Sequence, residues 1–124
     1  MPVCFRSSTG IGASIGLAAL ALVALDAAAQ PRGAACPARA GGKPLSGMDV
    51  FDGPTAELSI LKPDVIRNGR TGWVSTWNVR PIYREGRRVY LRCDYDTKSV
   101  VVPVSRAKLC RYTELGRVKS LSCA

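Results

Sequence analysis

The stretch Arg88 Val89 Tyr90 Leu91 Arg92 Cys93 Asp94 Tyr95, followed by Asp96 Thr97 Lys98 and then Ser99 Val100 Val101 Val102 Pro103 Val104, decides the fold class. In its first half apolar and polar residues alternate. Val89, Leu91, Cys93 and Tyr95 therefore share one face, and Arg88, Tyr90, Arg92 and Asp94 share the other, the pattern of a strand with one buried and one wet side. The β-branched run beyond the turn residues makes the second arm of a hairpin.

Downstream, residues 109–113 and 117–123 flank Glu114 Leu115 Gly116 and read as a second hairpin. Upstream, residues 73–79 open the period-two region. Trp73 and Trp77 fall on one face of that strand, as a core layer or as a stacking platform for sugars or bases. Before it, residues 48–51 are a short apolar stretch. Asp52 Gly53 Pro54 form a turn that also suits a helix start, predicting a short helix from Pro54 to about Leu61 with Leu58 and Leu61 on its buried face and Pro63 forbidding continuation. The expected architecture is an α+β domain over residues 48–124: an antiparallel β-meander of four to five strands with one short helix, stapled by disulfides. Residues 30–47, rich in Pro, Gly and Ala, read as an irregular lead-in.

Residues 1–29 differ from the rest, with a lone Arg6, an apolar run from 11 to 25 broken only by small residues, and Ala27 Ala28 Ala29 at its end. This is the pattern of a cleaved secretory signal peptide, and the run is too short for the roughly 20 apolar residues of a membrane span. The mature chain is expected in the periplasm or outside the cell, with no transmembrane segment. There, Cys36, Cys93, Cys110 and Cys123 form two disulfides rather than a zinc site, since no two of them have ligand spacing. Four cysteines allow three connectivities. The favoured one joins Cys93 to Cys110 and Cys36 to Cys123.

The chain has 18 Lys+Arg, 9 Asp+Glu and no histidine, a formal charge of +9. The missing imidazole excludes Ser/His/Asp and Cys/His catalysis and His-ligated metal, and no phosphate-binding Gly loop or other cofactor motif is present. Only paired carboxylates remain as acid/base groups. Asp94 with Asp96 and Asp49 with Asp52 are the candidates, and turn, capping and salt-bridge roles account for them. Residues 30–64 are charge-balanced, so the whole surplus lies beyond residue 64. It is densest at Arg80, Arg84, Arg87, Arg88 and Arg92, where alternation sets Tyr90 between two arginines. A planar guanidinium binds carboxylate and phosphate bidentately, so Arg84, Arg87, Arg88, Tyr90 and Arg92 form the candidate surface for an acidic protein or another anionic envelope component. Export argues against nucleic acid as the ligand. A purely structural envelope component would instead scatter its basic residues over the whole surface.

Val50 Phe51 Asp52 Gly53 Pro54, Glu57 Leu58, Leu61 Lys62 Pro63 Asp64, Trp77, the run Tyr90 Leu91 Arg92 Cys93 Asp94 Tyr95, Pro103, Cys110 and the closing Ser120 Leu121 Ser122 Cys123 together resemble a family of small exported proteobacterial proteins of uncharacterised function. The shared features are the signal peptide, the 50–54 segment and cysteines in a terminal β-meander. This resemblance implies no catalytic residue and no cofactor. A shorter likeness, in Tyr90, Cys93, Asp94 and the valines of 100–104, is to periplasmic inhibitors of C-type lysozymes, which plug a cleft with a loop; their targets are commonly basic, against the charge of this chain. The sequence therefore reads as an exported, basic, disulfide-bonded binding protein rather than an enzyme. The alternatives are a periplasmic inhibitor or immunity-type protein and a small carboxylate-dependent hydrolase.

Overall fold

The computed structural model describes residues 33–124, and the expected signal peptide lies outside them. The elements are β1 (Ala34–Ala35), β2 (Arg39–Ala40), β3 (Lys43–Pro44), β4 (Gly47–Asp52), β5 (Val65–Asn68), β6 (Gly72–Asn78), α1 (Arg80–Arg84), β7 (Val89–Tyr95), β8 (Lys98–Val104), β9 (Leu109–Leu115) and β10 (Val118–Cys123). All pairings are antiparallel. They build a three-stranded sheet in the order β4-β7-β8, a five-stranded sheet in the order β1-β10-β9-β6-β5, and the small β2-β3 ladder.

The alternation in β7 does what its sequence dictates. Val89, Leu91, Cys93 and Tyr95 are buried, while Tyr90, Arg92 and Asp94 between them stay partly exposed. The inward set, with Val50 of β4 and Val104 of β8, meets Trp77, Cys110, Tyr112 and Leu121 of the larger sheet in one core. Trp73 and Trp77 do share a face of β6. Trp77 is core, its indole N–H donating to the Leu61 carbonyl at 3.2 Å, whereas Trp73 is part-exposed and tilted against Tyr112 with ring centroids 6.4 Å apart.

The fold is β throughout rather than α+β. Among the described residues its helical content is α1, five residues long, and a single 3-10 turn at Thr55–Glu57, neither long enough to form a layer. The helix expected from Pro54 to Leu61 is not formed. Leu58 adopts a left-handed backbone (φ 57°) that ends the turn, and the chain runs back along β4 with the Asp52 N–H donating to Ser59 O at 2.9 Å and Leu61 N–H to Val50 O at 2.8 Å. Two prolines bracket too few residues for a helix to offset its nucleation cost, and a β-edge was at hand. The single meander also gives way to two sheets. α1 carries the chain from β6 in one sheet to β7 in the other, where β7 pairs with β4 in the register Val50↔Leu91. Alternation fixes which residues share a face but not which strand lies alongside.

The disulfides join Cys36 to Cys93 and Cys110 to Cys123, not the favoured Cys93–Cys110 and Cys36–Cys123. Hairpin register is the reason: β9 and β10 set Cys110 directly opposite Cys123, with Cα atoms 4.0 Å apart. β1 then pairs with β10 at Ala34↔Cys123, which brings Cys36 to the inward-facing Cys93 of the other sheet. The nominal lead-in is thus bridged and carries three short strands.

A non-reducing peptide map should recover the 36–93 and 110–123 cross-links. Because its cysteines lie 57 residues apart in sequence against 13 for the other pair, replacing both Cys36 and Cys93 by Ser should lower the unfolding free energy by about 4 kcal/mol, and the matching 110/123 change by about 3. Tyr112 donates to Glu114 Oε2 at 2.7 Å, and burial first, then that carboxylate, pushes its phenol well above the ordinary value. The folded chain keeps this proton where the unfolded chain sheds it, so stability should fall as pH rises past about 10. Urea titrations of Tyr112→Phe should show a shallower decline there than the native chain.

Candidate functional site

The strand registers gather three connections at one end of the sandwich. Asp52 and Val104 both lie beside Val89, and Asn78 lies beside Leu109. Residues 53–64 after β4, 79–88 around α1, and 105–108 between β8 and β9 therefore emerge together. Ile82 anchors α1 in the core and the Tyr83 hydroxyl donates to the Val104 carbonyl at 2.7 Å, leaving Arg80 and Arg84, one helical turn apart, on the outside. Burial raises the Tyr83 pKa, with a bond to the Val89 backbone and the charge of Arg88 acting in the opposite direction. Tyr83, Arg80 and Arg84 line a cleft of about 650 Å³ together with Arg106, Ala107, Lys108 and Ala124, and no carboxylate side chain is among these residues.

The expected partner-binding residues are not gathered into one free face. Arg88, Tyr90 and Arg92 do point outward together, but β4 lies alongside and supplies counter-charge. Asp49, opposite Arg92, forms an ion pair with it; the same guanidinium sits 5.5 Å from the ring centroid of the fully buried Phe51. Tyr90 lies between Phe51 and Pro103. Arg87 is engaged more fully. Its Nε donates to Asp52 Oδ1 at 2.8 Å, and its Nη2 donates to the Asp52 carbonyl at 3.2 Å and to Glu57 Oε2. Asp52, and then Glu57, hold its pKa above even the usual guanidinium value. Gly53 makes room for this fork: its φ is +84°, and a Cβ there would come within 2.2 Å of Arg87 Nη2. The Asp52 Gly53 Pro54 turn is thus built around an arginine 35 residues away.

What remains uncompensated is a different set. Among the described residues no hydrogen bond or ion pair engages the side chain of Arg80, Arg84, Arg88, Arg106 or Lys108, the Arg80 bond to Asn78 Oδ1 being from its backbone N–H. Glu85 is the one carboxylate in residues 79–88 and 105–108. Sequence reading found Arg84 and Arg88 and counted Arg80 in the dense basic run without including it in the binding surface; it missed Arg106 and Lys108, which reach the site only through the β8–β9 connection. The other cations beyond residue 64 that lie away from this end, such as Arg67, Lys98, Arg111 and Arg117, are spread over the larger sheet and the opposite end.

The candidate carboxylate pairs do not converge. Asp49 and Asp52 are tied to separate arginines, Asp94 accepts from Ser99 Oγ, and Asp96 sits in the β7–β8 turn at φ 57°. Among the described residues no group of three or more His, Cys, Asp or Glu could hold a metal, and no helix is long and apolar enough to cross a membrane.

Residues 38–123 match the family model of the type VI secretion system Tli immunity protein. The chain belongs to this family. The Tli match runs from β2 to the end of β10 and includes the whole cationic end as far as Lys108, with Cys36 two residues before its start. It gives a described role where the likeness read from residues 50–54 had none. No curated protein and no solved structure matches the chain.

Because Arg87 is a brace and Arg84 is not, Arg87→Met should lower the urea midpoint and speed amide exchange at Gly53 and Leu61. Arg84→Met should leave both within error of the native chain.

Proposed function

We propose that the chain acts as an immunity protein in the periplasm, binding an effector protein delivered by a type VI secretion system and holding it inactive. The observation that carries this reading is the Tli family match across nearly all of the described fold. The two disulfides fit an oxidising compartment. The reading as a binder rather than an enzyme rests on that same family match. The uncompensated cations around the cleft favour an acidic effector surface, with Arg84 and Arg88 kept from the surface first inferred and Arg80, Arg106 and Lys108 added. A concentrated positive field speeds encounter with such a surface more than it deepens affinity.

In co-culture, cells lacking the gene should be killed by their type VI-armed parent and should survive when the native chain is supplied. Survival of the gene-less cells without it overturns the reading. With the purified type VI effector of the same strain, Arg84→Glu/Arg88→Glu/Arg106→Glu should slow association by about 10-fold or more at low salt, the difference closing as salt is raised toward 1 M.

A further inference from the structure

The loop between β4 and β5 presents exposed apolar side chains at the cationic end. Leu58 and Ile60 are 73% and 52% exposed, and Pro54 and Ala56 are exposed beside them. The lone carboxylate of residues 54–60, Glu57, is turned back onto Arg87. The tip is therefore apolar and without free charge.

This tip is held rigidly. Its base is closed by Asp52 N–H to Ser59 O and Leu61 N–H to Val50 O, by an isolated bridge between Phe51 and Ile60, and by the Arg87 fork to Asp52 and Glu57. Leu58 holds a left-handed backbone that a leucine adopts only at a cost, and its side chain stays 73% exposed. An apolar side chain projected from a braced turn is what a preorganised anchor for a partner's pocket requires. Gly53 N–H donates to Arg88 O at 2.9 Å, so the unpaired Arg88 stands at the base of the same loop.

We propose that the braced loop of residues 53–60 is the element that enters the effector, with Leu58 and Ile60 seated in an apolar pocket and Arg88 facing a carboxylate on its rim. This rests on the immunity reading above, and it specifies which part of the chain is inserted and the chemistry of the pocket receiving it.

The test uses the full mature chain and the purified type VI effector of the same strain. Leu58→Asp should weaken binding by about 30-fold or more, while Val118→Asp, which places the same charge on a 70% exposed residue at the opposite end, should stay within about 2-fold of the native chain. Leu58→Gly separates binding from folding. It relieves the left-handed backbone, so its thermal midpoint should match or exceed the native value while its affinity falls. Native-like affinity in both Leu58 variants overturns the inference and leaves the immunity reading standing; no binding by the native chain overturns both. Sedimentation adds one more outcome. A native dimer that Leu58→Asp converts to a monomer of unchanged effector affinity would assign the loop to a second copy of this chain and overturn its role in the effector.

Discussion

The bond between Cys36 and Cys93 is the constraint on which the rest of this small structure leans. Cys93 is a buried residue of β7, the central strand of the three-stranded sheet, and Cys36 follows β1 at the edge of the five-stranded one. A sandwich of this size buries limited apolar surface, so holding the two sheets face to face depends on more than the core. The bridge fixes their approach at the point where the inward residues of β7 meet Tyr112 and Leu121. The second bridge, Cys110 to Cys123, acts within one hairpin and secures register.

With the sheets fixed, the connections at the cationic end have defined places, and the arginines there divide into two kinds. Arg87 and Arg92 are structural: each is drawn onto carboxylates of β4 and the residues just beyond it, and each covers or braces that strand's neighbourhood. Among the described residues, no ion pair holds Arg80, Arg84, Arg88, Arg106 or Lys108. Net charge could not separate these kinds, because the distinction is made by which strand lies beside β7 and not by the charge of β7 itself.

The legible part of the fold was the part governed by local alternation. The faces of β7, the β7–β8 and β9–β10 hairpins and the shared face of Trp73 and Trp77 were all written in period two. The β4–β7 and β6–β9 pairings, which split one meander into two sheets, depend on long-range packing that no local pattern records. The same blindness explains the disulfides, since Cys93 sits nearer in sequence to Cys110 than to Cys36, yet a hairpin placed Cys110 against Cys123. It also explains the site. Asp49 cancels Arg92 only because β4 lies next to β7, and Arg106 and Lys108 join the cleft only because β8 and β9 belong to different sheets. At residues 54–61 a proline at a permitted helix start was a true turn signal and a misleading helix signal, since the backbone of β4 offered better hydrogen bonds than an isolated turn.

The connectivity of the bridges has a further consequence for how the chain matures. Among the described cysteines, first is bonded to second and third to fourth, in the order in which they occur. A polypeptide emerging amino-terminus first into an oxidising compartment meets its oxidase in that same order, and each newly arrived thiol finds its correct mate as the last one still reduced. Such a connectivity permits the native cross-links to form by successive oxidation, without passing through a mispaired species.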